Sequence, residues 1–569
     1  MADRLEQSSD AHSMHSTEQQ EKKDDLATSA PSEDVEYPPF KRVLAIVLGM
    51  MSVSLLVALD RTIIATAIPA ITDHFNSLDD VGWYASSYLL TMSAFQLLIG
   101  RIYTFYSTKW VYITSIGIFE LGSLVCGAAP SSVAFIIGRS IAGIGSAGIF
   151  AGAIVVIVDL VPLEKRPAWT GAFGAVFAIA SVAGPLLGGV FTTNVSWRWC
   201  FYINLPIGGA AMAILAFILK VPARTTKRAT LKEQIHQLDP IGTAIFIPSI
   251  TCLLLALQWG GIDYAWSDGR IIALLVLAGV LFIAFIGVQM WRQELATVPP
   301  RIIKMRAVAA GMTYSFFSGA GMITIVYFLP IWFQAIKGAT AVHSGIMNLP
   351  AVLGITLASI VAGIGTRKLG YFTHWMVVSS VMTSVGVGLM CTFTLTTGHS
   401  KWIGYQALWG IGLGLGMQQP SVAAQTVLAR KDVPTGATIM FFAQGLGGSV
   451  CVSIANNIFL NKLSTGLTSI PGINGDLVTH VGATDLRNVV PAASLDAVLA
   501  VYNLALRNAF YVGVAVSTAT IIGTLLMPWI NIKKVAADQK AAAALASTPK
   551  TAGSAEQQQE TEAKRVEEV

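Results

Sequence analysis

From about residue 41 to residue 535 the chain alternates between long apolar runs and short polar or basic breaks. A helix that crosses a bilayer needs about 20 mainly apolar residues. On that basis the pattern predicts fourteen spans. They start near Val43, Val81, Trp110, Ser132, Ala168, Tyr202, Ile241, Ile271, Val308, Ser344, His374, Ile403, Thr435 and Leu506. Two breaks look alike. GRIYTFYSTKW (Gly100 to Trp110) follows the second span, and GIGTRKLGYFTHW (Gly363 to Trp375) follows the tenth. The repeat predicts two equivalent six-helix halves with two helices inserted between them, an organisation suited to alternating access. The fold class expected is therefore an all-α membrane protein. Its parts are a polar tail (1–40), an N-terminal six-helix bundle (41–221), a linker with inserted helices seven and eight (222–298), a C-terminal six-helix bundle (299–536) and a second polar tail (537–569).

Composition agrees. Of the 569 residues 54% are hydrophobic and 12% charged, against about 25% charged in a soluble domain. The formal net charge of +5 then reports topology rather than affinity for nucleic acid. With the N-terminus inside, the cytoplasmic breaks hold Lys41 and Arg42, Arg101 and Lys109, Lys165 and Arg166, Arg367 and Lys368, and Arg430 and Lys431. The outer breaks hold few basic residues, and this bias puts both termini in the cytoplasm. No basic region followed by an apolar stretch opens the chain, so no cleaved signal peptide is expected. The five cysteines form no Cys-x-x-Cys pair, so they read as small buried residues and no metal is expected.

Ionisable residues at bilayer depth are costly and mark function. Asp60 lies about 18 residues beyond Lys41-Arg42, near the midplane at 1.5 Å per residue. Burial would raise its affinity for a proton. It reads either as a proton carrier or as a structural carboxylate paired with Arg61 or Arg139. Arg139, in GRSIAGIGSAG, is a partner for Asp60 or a packing residue bonded to carbonyls. Glu120 in the third span is a second proton or cation site, or a hydrogen-bonding group. Asp159, near Lys165 and Arg166, reads as an interface ion pair. Gly143, Gly145 and Gly148 spell G-x-G-x-x-G, but no strand precedes them and they lie within a span, so they serve helix packing. The chain has no G-x-x-x-x-G-K-[ST] motif, which argues against an ATP-driven pump. With no catalytic cluster either, it is not expected to be an enzyme.

The C-terminal half carries amides and aromatics instead of acids. Gln334, Gln418, Gln419, Gln444, Phe316, Trp332 and Phe441 are candidates for a cavity that takes bulky amphipathic, neutral or cationic compounds. Asn194, in Asn194-Val195-Ser196, is a glycosylation triplet close to the membrane, where use is not expected.

The stretch GAFGAVFAIASVAGPLLGGVFTTNVSWRWCFYINLPIGG (Gly171 to Gly209) carries the strongest motif. Ala180, Gly184 and Gly188 lie one turn apart and let another helix approach, and Pro185 frees a carbonyl that a neighbour can satisfy. With Gly171 and Gly189, this resembles the antiporter motif in the fifth helix of the major facilitator superfamily. WRWCFYINLP and LDRTIIATAIP (Leu59 to Pro69) resemble the fourteen-span drug:proton antiporter branch, and GLGMQQPSVAAQTVL (Gly414 to Leu428) resembles its fungal toxin pumps. Thr104 stands where the superfamily's first turn usually has Asp, so the latch between halves would be weaker or differently built. The resemblance implies a proton-coupled exporter of drugs, toxins or secondary metabolites. It would have no cofactor beyond the proton gradient and would work as a monomer in the plasma membrane. The alternative is a vacuolar basic amino-acid or siderophore transporter of the same fold.

Overall fold

The computed structural model describes residues 38–547 apart from 76, 78–79, 221–230, 262–263, 472–485 and 487–489. Residues 1–37 of the first tail, 548–569 of the second and 222–230 of the region expected to hold the linker and inserted helices (222–298) lie outside the described residues. Pro38–Ile530 form one compact unit. From Asn531 on, the described residues form a single helix, Ile532–Ser547.

Among the described residues the unit is helical, with one isolated bridge between Gly260 and Tyr264 and no strand. The first part holds α1 (Phe40–Phe75), α2 (Val81–Phe105), α3 (Thr108–Ala128), α4 (Ser132–Leu160), α5 (Arg166–Asn194), α6 (Trp199–Tyr202) and α7 (Asn204–Ile218). Then come α8 (Leu231–Gln237), α9 (Pro240–Trp259), α10 (Gly269–Arg292) and α11 (Pro300–Lys304). The last part holds α12 (Arg306–Lys337), α13 (Ala341–Met347), α14 (Leu349–Leu369), α15 (Thr373–Met390), α16 (His399–Gly416), α17 (Gln419–Val427), α18 (Val433–Leu467) and α19 (Leu495–Leu526). Local chemistry sets several ends. Ser131 caps α4 by accepting from the Ala134 amide. Gly338 and Gly370 close α12 and α14 in the left-handed conformation that glycine adopts without strain.

Of the fourteen expected spans, twelve coincide with helices that are long and apolar enough to cross a membrane, among the described residues. The two expected spans that fall short are α2 and α16, both helical but diluted by polar residues. In α2 these include Ser86, Ser87, Gln96 and Arg101, and in α16 His399, Ser400, Lys401 and Gln406.

Two apolar cores dominate the unit. One joins α1 to α5 and α7 through residues such as Val53, Tyr103, Phe119, Ile149 and Leu215. The other joins α12, α14 to α16, α18 and α19 around Phe328, Trp332, Trp409, Phe459 and Phe510. A smaller cluster ties Phe246 of α9 and Phe285 of α10 to Leu97, Val158 and Met440, so the inserted helices touch both parts. The G-x-G-x-x-G of α4 is a two-sided helix seat. A Cβ on Gly143 would strike the Tyr88 carbonyl of α2, and one on Gly145 would strike Phe119 of α3. Close approach of backbones replaces a hydrophobic drive that lipid does not supply.

Candidate functional site

Asp60 and Arg139 meet inside the N-terminal bundle. Both are 1% exposed, and Arg139 Nη1 lies 2.5 Å from Asp60 Oδ2. Arg139 Nε donates to the Tyr84 carbonyl at 2.9 Å. Its guanidinium sits 4.5 Å from the centre of the Tyr88 ring, and the Tyr88 hydroxyl is 2.5 Å from Ser146 Oγ. The arginine is thus held by a carboxylate, a carbonyl and an aromatic face. The carboxylate is not saturated, because Asp60 Oδ1 is buried without a hydrogen-bond partner among the described residues. A buried acceptor left open costs about 1–3 kcal/mol.

The glycine motif of α5 lies against the next turns of α1. Thr62 donates to the Ala180 carbonyl at 2.9 Å. A Cβ on Gly184 would sit 2.1 Å from Thr62 Oγ1, and one on Gly188 2.1 Å from Thr66 Oγ1. The helix that approaches Gly184 and Gly188 is therefore the one that carries Asp60. Pro185 lies inside α5. Gly171 serves a different contact, because a Cβ there would be 2.5 Å from the Ser359 carbonyl of α14 in the other half. Gly189 faces Val342. Asn194 is the exposed last residue of α5.

The end of the bundle that carries the basic breaks is latched by charge. Asp159 accepts from Thr108 Oγ1 at 2.8 Å and pairs with Arg430 of the C-terminal half at 3.2 Å. Arg101 donates to the carbonyls of Gln237 and Glu294, at 3.1 and 2.6 Å. Arg301 bridges Glu294 at 2.7 Å and Asp432 at 2.8 and 2.9 Å. The bonds to Asp432 and then to Glu294 hold the Arg301 guanidinium pKa above its usual range. Asp239, fully buried, binds the amides of Gly242 and Thr297 and the side chain of Gln289, which fixes the inserted helices to this latch. Thr104, in the place of the usual acid, lies with its Oγ1 3.5 Å from Thr435 Oγ1. Sequence reasoning missed Asp239, Glu294 and Asp432 as partners. A polar residue at a span end reads as solvated until its partner is known, and these partners come from distant segments.

The candidate cavity residues separate. Trp332 is fully buried in the C-terminal core, its Nε1 donating to Asn503 Oδ1 at 2.8 Å and its ring stacked 4.4 Å from Phe393. Gln419 is bound to Thr366 and to the Leu415 carbonyl. Gln418 is 7% exposed, and Gln334, Gln444 and Phe316 are half-buried. Phe441 packs across the halves on Phe150 of α4 at 6.2 Å. An open cleft of about 490 Å³ lies elsewhere, lined by Leu369, Tyr371, His374 and Trp529. A cavity of about 10 Å³ lies inside the C-terminal half between Tyr314, Ser379, Trp409 and Thr520, room for one water. Neither is lined by the candidate cavity residues.

Comparison with known proteins decides the family. The profile of the Major Facilitator Superfamily matches residues 50–451. The chain belongs to the major facilitator superfamily. The MFS-type transporter VdtG of Byssochlamys spectabilis is 51% identical over 499 residues, covering 88% of this chain and 90% of the relative. The rubrofusarin-specific efflux pump aurT of Gibberella zeae is 52% identical over 502 residues, covering 88% and 92%. The efflux pump aflT of Aspergillus parasiticus is 48% identical over 500 residues, covering 87% and 96%. Among solved structures, the proton:xylose symporter XylE superposes with a TM-score of 0.56 at 13% identity, over 88% of this chain and 99% of that one, a likeness of fold alone. This superfamily member is a multi-pass membrane transporter related to fungal efflux pumps, and its relatives are transporters, not enzymes.

Proposed function

We propose that this transporter is a proton-coupled exporter, of the fourteen-span antiporter type, that moves amphipathic drugs, toxins or secondary metabolites by alternating access. The observation that carries the reading is the buried Asp60–Arg139 pair with its open carboxylate oxygen, one turn from the seat of the α5 glycine motif. While Asp60 is ionised, Arg139 ties α4 to α1. A proton on Oδ1 cancels the carboxylate charge and loosens the tie. The α1–α5 seat then passes the change to α5, whose Gly171 end touches α14 of the other half. A ligand or proton shifts such an equilibrium only by its difference in affinity for the two states, and the pair supplies that difference for the proton. The relative named as a rubrofusarin-specific efflux pump, and two more fungal relatives named as efflux pumps, support the cargo class. The proton gradient is the energy source, no cofactor is used, and the protein acts as a monomer in the plasma membrane with both termini in the cytoplasm.

Efflux of a lipophilic cationic dye from cells expressing the chain, with and without a protonophore, tests this. Protonophore-sensitive efflux that disappears in Asp60→Asn is the expected result. Normal efflux by Asp60→Asn would defeat the role of Asp60. No dye efflux with the protein present at the cell surface would move a narrow cargo, or vacuolar or siderophore transport, ahead.

A further inference from the structure

A second set of buried oxygens lies on the seam between α3 and α7, apart from the Asp60–Arg139 contact. Glu120 Oε1, Glu120 Oε2 and Asn204 Oδ1 are all buried with no hydrogen-bond partner among the described residues. Glu120 is 8% exposed, and Ser123 and Asn204 are fully buried. The seam has two rungs. Glu120 lies against Gly208, where a Cβ would overlap Oε1, so glycine leaves the room the carboxyl occupies. One turn away, Asn204 Nδ2 donates to Ser123 Oγ at 3.0 Å. Residues 120 and 123, and 204 and 208, share one helix face each by their spacing. Neighbouring Leu121, Leu124 and Ile207 are exposed apolar residues, so the seam borders lipid.

An ionised carboxyl in such a place has neither water nor a donor. An isolated buried charge is costly enough that the group neutralises instead. Titratable groups on the neighbouring elements include Asp60 and Arg61 on α1, Tyr88 on α2, Arg139 on α4, and Cys200 and Tyr202 on α6. Arg139 is committed to Asp60. Asp60 is paired with a cation and Glu120 with none, and carboxyls in environments this different take different protonation states. A proton removes the buried charge and turns one of the two Glu120 oxygens into a donor.

We propose that Glu120, seated against Gly208 and flanked by Ser123 and Asn204, is a second proton-binding site that holds a proton while Asp60 stays ionised against Arg139. Its use in transport rests on the proton-coupled reading, but its protonation is measured separately. Infrared spectra of the full chain in liposomes at neutral pH show whether a protonated carboxyl is present. The expected result is an acid carbonyl band that vanishes in Glu120→Gln and persists in Asp60→Asn. Absence of a Glu120-dependent band overturns the site. Loss of the band on adding sodium chloride at constant ionic strength also overturns it, in favour of a sodium site. Where Glu120→Gln does not accumulate, Glu120→Asp shifts the band, and an unshifted band overturns the assignment. A persistent band together with normal dye efflux by Asp60→Asn leaves this site standing and removes the proposed coupling at Asp60.

Discussion

The two halves solve the problem of polar groups in a bilayer in opposite ways. The N-terminal bundle buries ionisable groups, with Asp60 against Arg139 and Glu120 on a seam of its own. The C-terminal bundle buries hydroxyls and amides. Tyr314 donates to Ser379 at 2.8 Å, Thr520 donates to Ser380 at 2.8 Å, and Asn503 joins Trp332 to the Phe393 carbonyl. Neutral hydroxyl and amide pairs have no charge to lose, whereas a buried ion pair depends on both of its charges. If proton coupling runs as proposed, the N-terminal half carries it and the C-terminal half is the partner it moves against.

The strongest way to break this comparison is to remove one charge. Arg139→Leu leaves Asp60 buried without its cation, a cost of about 3–5 kcal/mol. We expect the variant to lose transport and most of its thermal stability in detergent. Asp60→Asn/Arg139→Leu, with no charge left to bury, is expected to regain stability but not transport. If Arg139→Leu melts like the parent protein, the pair is not what holds α1 to α4.

The α5 seat comes next in size. Gly184→Val drives a branched side chain into Thr62, and overpacking of this kind costs about 1–3 kcal/mol. Efflux is expected to fall at least about tenfold, the factor that 1.4 kcal/mol represents. Gly184→Ala combined with Thr62→Ala removes the clashing oxygen and is expected to transport better than Gly184→Ala alone. Equal activity of the two would place the clash elsewhere.

A neutral contact in the other half sharpens the contrast. Asn503→Leu strands the Trp332 indole donor, for about 1–3 kcal/mol. The melting temperature is expected to drop while the dependence of efflux on pH stays as in the parent. A changed pH profile would put proton sensing in both halves.

Much of this was legible in the chain because membranes simplify the code. Apolar runs announce helices, and an acid such as Asp60 in mid-run stands out against them. The small residues of α5 announced a close helix, and the structure supplies its identity as α1. The apolar signal is weakest at α2 and α16, where polar residues such as the buried Gln96 and Gln406 and the exposed Lys401 dilute it. The partners of the cavity candidates Trp332 and Gln419, Asn503 and Thr366, were not legible, because sequence shows that a polar or aromatic group is present but not what it binds. Asp239 and Asp432 were invisible for the converse reason. At the ends of spans charged residues are common, and only the fold shows which ones are buried and paired.

The smallest effect expected is at the latch, and it is informative because it is small. Arg430 is 34% exposed while Asp159 is 3% exposed. Solvent screening limits such a pair to about 0.2–1 kcal/mol, too little to unfold the protein. It is enough to shift a two-state balance by up to about fivefold. Arg430→Ala is therefore expected to leave the melting temperature nearly unchanged and to open the basic end more often. Thr104→Cys with Thr435→Cys reports on this end, since the two hydroxyls are 3.5 Å apart in the closed arrangement. The yield of a short thiol cross-link between them is expected to fall when Arg430→Ala is added, and to fall further with Arg301→Ala. An unchanged yield in both would mean that the backbone contact of Gly171 with Ser359, rather than charge, keeps this end shut.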